Sequence, residues 1–419
     1  MPPILVLWDD AHIWGLLAAR ALRRWGFPHR LVDAALLAQG GFSRKPRTLL
    51  LVPGGNARAK ARALGPAGLA AVRETVAAGG RYLGVCGGAG LALADGGLGL
   101  CPWRRKPFEN RLQHLVSGHF HVEPAAGDPL VPEEFSSAPL VPFWWPGQFD
   151  CRPADAVTVL ARFAEPGPDV QVADLPLADL PPATRADWEA LYGVSLTPRF
   201  LEGQPCIVHG LYGRGGYILS YAHLETPASR LANAWLTHIL SRLTGHPGPA
   251  EPCLPEWDPA EAPVAWPEPA LLTARAYLAE IIRLGETHHL LYQRTSWLLG
   301  WRRGLPGLAL TSLFALVCEA LAARPRSAAE QYWQTVREDF LKALGLFHSG
   351  VMGYLLAERL DMTLTHAPGE TALPGLADQR RALFGPAPAT GGLHARLQRP
   401  LEELTRLLLD PGEEGREEP

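Results

Sequence analysis

The chain has 419 residues, 39 of them basic and 42 acidic, for a formal net charge of -3. A balance this close to neutral provides no global field towards nucleic acid or anionic lipid, and a hydrophobic content of 47% excludes a disordered chain. The length exceeds one compact core and fits two domains.

From the N-terminus, Ile4–Leu7 is a short apolar run, and residues 13–25 follow with apolar side chains at helical spacing. His29–Val32 and residues 48–52 are further strands, the second apolar throughout, as in a parallel strand covered on both faces. Pro53-Gly54-Gly55-Asn56 ends that strand, and residues 66–78 form a helix with Pro66 suited to its first turn. Arg81–Val85 is the next strand, ending at Cys86, with a short helix over residues 89–94. Strands alternating with helices predict a doubly wound, mostly parallel α/β sheet of flavodoxin-like type.

Residues 101–201 change character. Short alternating stretches at 115–122 and 157–163 lie between proline-rich joints and read as β additions and surface loops. Residues 207–211 and 217–221 flank Gly213-Arg214-Gly215-Gly216 as a hairpin, whose second strand leads into Ala222-His223-Leu224-Glu225. Pro227 opens a helix through about residue 243. The proline-dense stretch 246–269 reads as a linker between a domain at 1–245 and a mostly α-helical domain at 270–410. Helices are expected there at 270–284, 286–299, 308–322, 328–346 and 401–409, with a disordered tail at 411–419. Residues 305–323 are apolar, but Pro306 and Glu319 favour a buried helix over a membrane span.

Six cysteines (Cys86, Cys101, Cys151, Cys206, Cys253, Cys318) show no CxxC pairing, which excludes a zinc ribbon or disulfide framework. The first ten residues carry two aspartates and no basic run, so the protein is expected to be cytoplasmic.

Chemistry concentrates at Gly84-Val85-Cys86-Gly87-Gly88, between an apolar strand and a short helix. A turn that holds a nucleophile in a strained conformation has no room for side chains two positions either side, and Gly84 and Gly88 meet that need. Gly54-Gly55 ends the preceding strand; the backbone N–H groups of Gly55 and Gly87 would form an oxyanion hole. His223 and Glu225 are two residues apart, so the carboxylate can orient an imidazole that serves Cys86. Gly54, Asp10 and His12 are candidate substrate-binding residues at the carboxyl ends of their strands.

These segments resemble the oxyanion loop, nucleophile elbow and His-x-Glu of class I glutamine amidotransferases. Residues 82–89, Tyr-Leu-Gly-Val-Cys-Gly-Gly-Ala, are most similar to the amidotransferase-like domain at the N-terminus of biotin-protein ligases. The resemblance covers about residues 3–245. It implies a Cys-His-Glu triad and a thioacyl intermediate, hence an amidase or amidotransferase-like hydrolase acting on a small amide. The chain departs from the pattern where Ala89-Gly90-Leu91 replaces the glutamine that usually follows the elbow. Nothing beyond Gly245 resembles a nucleotide loop, and Gly213-Arg214-Gly215 lies in a hairpin, so biotin ligation is not expected. The alternative is a non-catalytic regulatory protein that keeps the fold and binds a small ligand.

Three lesser signals remain. His119, His121 and Glu123 share one strand face and could hold a metal, but a solvated edge is the favoured reading, so neither metal nor cofactor is expected. The aromatic run at 143–149 suits either a lid or burial against the sheet, and residues 297–303 suit packing between helices. Expected partners are a small-molecule substrate or ligand and a protein bound through the helical domain, with no nucleic acid and no membrane span.

Overall fold

The computed structural model describes residues 3–40, 48–107, 116–135, 138–152, 156–193, 196–301, 307–365, 372–386 and 391–410. Two compact units result, Met1–Glu256 and Trp257–Asp410. The tail at 411–419 and the end of the 297–303 segment lie outside the described residues.

The first unit begins with β1 (Ile4–Leu7), α1 (His12–Arg24), β2 (His29–Val32), α2 (Ala34–Ala38), β3 (Leu49–Val52), α3 (Ala57–Ala77), β4 (Arg81–Val85) and α4 (Gly87–Ala92). It continues with β5 (Arg104–Arg105), β6 (Val116–Pro124), β7 (Leu140–Trp144), β8 (Phe149–Asp150), β9 (Val157–Pro166), β10 (Gln171–Val172), β11 (Leu175–Pro176) and α5 (Pro182–Tyr192). A hairpin of β12 (Pro205–Tyr212) and β13 (Gly215–Ser220), then α6 (Arg230–Thr244), complete it.

Strands β2-β1-β3-β4-β13 lie side by side and parallel, the strand order of flavodoxin-like sheets. β1 and β3 are wholly apolar because helices cover both faces: all four residues of each are buried. From β13 the sheet continues antiparallel through β12, β9, β6, β10 and β11, with β7 on the other side of β6. The fold is thus a doubly wound α/β sheet with an antiparallel extension, eleven strands in all. Gly65 (φ +58) breaks α3, and Pro66 opens its second half. The aromatic run is core: Phe143 packs against Phe120 and Phe163, with ring centroids 5.7 and 4.4 Å away, and Trp144 and Phe149 are also buried.

The second unit is mostly helical: α7 (Pro269–Thr287), α8 (Gly307–Ala322), α9 (Ser327–Leu364), α10 (Leu376–Phe384) and α11 (Gly392–Leu409). Its one hairpin, β14 (Leu291–Thr295) with β15 (Leu298–Trp301), replaces the helix expected at 286–299. His289 (φ +54) stops the preceding helix, and Tyr, Thr and Trp side chains favour the pleated arrangement. α9 runs on to Leu364, and Pro400 sits inside α11, which begins at Gly392. α8 is apolar nearly all round because it is nearly all buried. By length and composition alone, Ser327–Leu364 is long and apolar enough to cross a membrane. It also carries the buried acids Glu358, bound by the Tyr354 hydroxyl, and Asp361, which accepts the backbone N–H groups of Ala372 and Leu373.

Candidate active site

Four adjacent parallel strands end at one rim of the sheet, and each delivers a piece of the site. β1 leads to Asp10 and His12, β3 to Gly54 and Gly55, β4 to Cys86, and β13 to His223 and Glu225.

Cys86 joins β4 directly to α4 and takes φ +48, ψ -101, which L-residues rarely adopt. Its N–H donates to the Ser220 carbonyl at 2.7 Å, tying the elbow to the end of β13. Packing holds the turn: a Cβ at Gly84 would lie 2.6 Å from the Gly88 carbonyl, and one at Gly88 would collide with the Val52 carbonyl. The buried Tyr82 hydroxyl also donates to the Gly88 carbonyl, at 2.7 Å. Gly88→Ala is therefore expected to cost about 1–3 kcal/mol of stability by overpacking. Urea unfolding of the variant checks this; an unchanged free energy would contradict the close approach of β3 to the elbow.

The glycine loop lies against the elbow. A side chain at Gly87 would strike the Gly55 carbonyl, and one at Gly55 (φ +110) would strike the Asp10 carbonyl and approach the His12 ring. Asp10, His12, Gly55 and Gly87 are thus brought together. Gly54 faces the other way, its Cβ position 2.7 Å from the Trp14 ring and 3.0 Å from Cε1 of His223. Beneath the loop, the buried Lys60 ammonium donates to the Asp9 carbonyl at 2.8 Å. Burial pushes the Asp9 carboxyl up, against the opposing pull of the Ala34 N–H and of Lys60.

His223 lies beyond the last residue of β13, Ser220, so Glu225 reaches it through a turn and not along an extended strand. The Thr226 N–H donates to the His223 carbonyl at 3.1 Å, curling the chain back. Nδ1 of His223 meets Oε1 of Glu225 at 2.8 Å, with both residues buried. Nε2 has no hydrogen-bond partner, and neither does Oε2 of Glu225. Burial alone would lower the imidazole's pKa; the Glu225 charge and the neighbouring Cys86 sulfur outweigh it and raise it to about 9. At neutral pH the ring is an imidazolium, bonded to the carboxylate on one side and acting on the thiol on the other.

Sequence reasoning missed the supports of this pair. The Trp14 ring lies over the imidazole, centroids 4.1 Å apart. Asn233, fully buried on α6, donates to the carbonyls of Leu224 and Thr226 at 2.8 and 2.9 Å and accepts the Leu254 N–H at 2.9 Å. A lone amide in the apolar run Leu231-Ala232-Asn233-Ala234-Trp235 was the signal available for it. The metal reading of His119, His121 and Glu123 gains no support, because the three do not converge. His119 bonds Asp169 and Ser229, His121 meets the Ala138 carbonyl, and no metal-holding group of three or more His, Cys, Asp or Glu side chains occurs among the described residues.

No family model and no curated protein matches the sequence. Among solved structures, the chain is similar to a putative GMP synthase glutaminase-type component from Thermoplasma acidophilum, at 12% identity and a TM-score of 0.37, covering 58% of this chain and 96% of that one. It is similar to PurLQS from Thermotoga maritima at 15% identity and a TM-score of 0.35, covering 58% and 99%. A third similarity, to a cold-adapted β-galactosidase from Rahnella sp. R3, has 12% identity and a TM-score of 0.35 and covers 59% of this chain and 32% of that one.

Proposed function

We propose that the first unit is a cysteine-dependent amide hydrolase of the class I glutamine amidotransferase-like superfamily. Its motifs are nearest those of the biotin-protein ligase N-terminal domain, and it has no ligase activity. Cys86 is the nucleophile, His223 the acid–base group and Glu225 the residue that orients it. The observation that carries this reading is the buried His223–Glu225 pair, whose second ring nitrogen is left to the strained Cys86.

The raised pKa of His223 sets the order of events. An imidazolium already holds the proton, so the sulfur attacks the amide carbon while the N–H groups of Gly55 and Gly87 receive the oxyanion. His223 then protonates the departing amine. Deprotonated by that transfer, it takes a proton from the water that hydrolyses the thioester.

Incubating the full chain with small primary amides tests the reading. Ammonia release is expected, and Cys86→Ala should abolish it. Glutamine is expected to be a poor substrate, because Ala89-Gly90-Leu91 offers no side-chain donor after the elbow. If no primary amide is turned over and Cys86 alkylates no faster than the exposed Cys253, the fold serves ligand binding instead.

A further inference from the structure

His119, Asp169 and Ser229 come from separate parts of the first unit: strand β6, the loop between β9 and β10, and the residue preceding α6. Asp169 accepts the His119 backbone N–H with Oδ1 at 2.9 Å and meets Nδ1 with Oδ2 at 2.9 Å. On the far side of the ring, Nε2 lies 2.7 Å from the Ser229 hydroxyl. An ionised carboxylate can only accept, so Nδ1 carries the proton and Nε2 offers a lone pair. The hydroxyl is then the donor, and the proton path runs from Ser229 to His119 with Asp169 fixing the tautomer. This is the direction nucleophilic catalysis by a serine requires.

Two features of Ser229 point the same way. It is the N-cap residue of α6, where a serine ordinarily accepts a first-turn N–H, yet its side chain makes no capping bond. The helix's first N–H groups therefore lie beside a hydroxyl that faces the histidine. In addition Ala228, immediately before it, has φ +58 with a bulky neighbour in Pro227, a strained conformation adjoining the hydroxyl.

We infer that Ser229 is a second nucleophile, with His119 as its base and Asp169 as a positioning residue, and that it accepts acyl groups from small carboxylic esters. The inference shares no residue with the Cys86 site and does not depend on it. Oγ bonds to the ester carbonyl carbon as its proton passes to Nε2. The oxyanion turns to the N–H groups at the start of α6; the carbon–oxygen bond to the alcohol then breaks, and the alcohol leaves with the proton from Nε2. Water repeats the sequence and releases the acid. Ser229 is 6% exposed, while the His119 and Asp169 side chains are 23% and 37% exposed. The hydroxyl is the most enclosed member, which restricts access to small acyl groups.

The test treats the full chain carrying Cys86→Ala with diisopropyl fluorophosphate, in which the serine oxygen displaces fluoride from phosphorus, and maps the adduct by peptide mass spectrometry. A single adduct on Ser229 is expected. His119→Gln should slow its formation about a hundredfold, and Asp169→Asn should slow it with recovery in Asp169→Glu. Hydrolysis of p-nitrophenyl acetate should follow the same pattern. Should His119→Gln fail to fold, labelling of Ser229 in the parent protein still decides. The inference is overturned by no adduct, by an adduct at another residue, or by a rate indifferent to His119, since the three groups would then only tie the loop to the helix.

Discussion

Replacing His223 with alanine is expected to slow alkylation of Cys86 by iodoacetamide at pH 7 on the order of a hundredfold. With a pKa of about 9, the ring is positively charged at that pH. Its only unbonded nitrogen serves the sulfur, and a cation beside sulfur favours the attacking thiolate. Without the ring, the thiol should gain rate with each pH unit until the ordinary thiol range near ~8.5, whereas the parent protein should already be fast near neutrality. Cys253, also exposed and free, serves as internal standard, because Cys101, Cys206 and Cys318 are buried. Burial further pushes the Cys206 and Cys318 thiols up, the latter to about 12, so neither competes for reagent. Equal rates at Cys86 in the parent protein and the variant would remove His223 from the mechanism.

The parts of this site differ in how far the sequence exposes them. Strands β1, β3 and β4 are legible because each is a short apolar run closed by Asp, Pro-Gly or Cys-Gly, and their order along the chain already implies a common rim. Gly84 and Gly88 are legible for a local reason: the turn they bound leaves no room for a β-carbon. The contact of Trp14 with His223 is not, since nothing in α1 distinguishes one buried tryptophan from another until β13 is laid beside β4. His119 shows the limit most plainly. Alternation along β6 correctly places it on a polar face, but its partners stand 50 and 110 residues away in sequence, and no local pattern names them. Residues 286–299 fail differently, because leucines at 290, 291, 298 and 299 satisfy a helical spacing and a hairpin equally well.

The pH dependence of stability should carry the signature of the His223–Glu225 pair. The folded-state pKa of His223, about 9, stands above the ordinary histidine value of 6.5. A group whose pKa folding raises binds its proton more tightly in the native state, so it stabilises the fold fully below pH 6.5. That contribution falls by about 1.4 kcal/mol per pH unit as pH climbs towards 9, and has largely gone above it, a loss of roughly 3 kcal/mol. His223→Gln alone is a poor comparison, because it strands the buried Glu225 carboxylate without its cation. The double variant His223→Gln, Glu225→Gln keeps a neutral hydrogen-bonding pair of similar volume and removes both charges. Urea unfolding free energies at pH 6 and pH 9.5 should therefore differ by roughly 3 kcal/mol more in the parent protein than in the double variant. Groups elsewhere in the chain titrate alike in both and cancel. Parallel profiles would mean that His223 is neutral in the native protein at pH 7, and the thiol would then have to lose its proton to the ring during attack instead of before it.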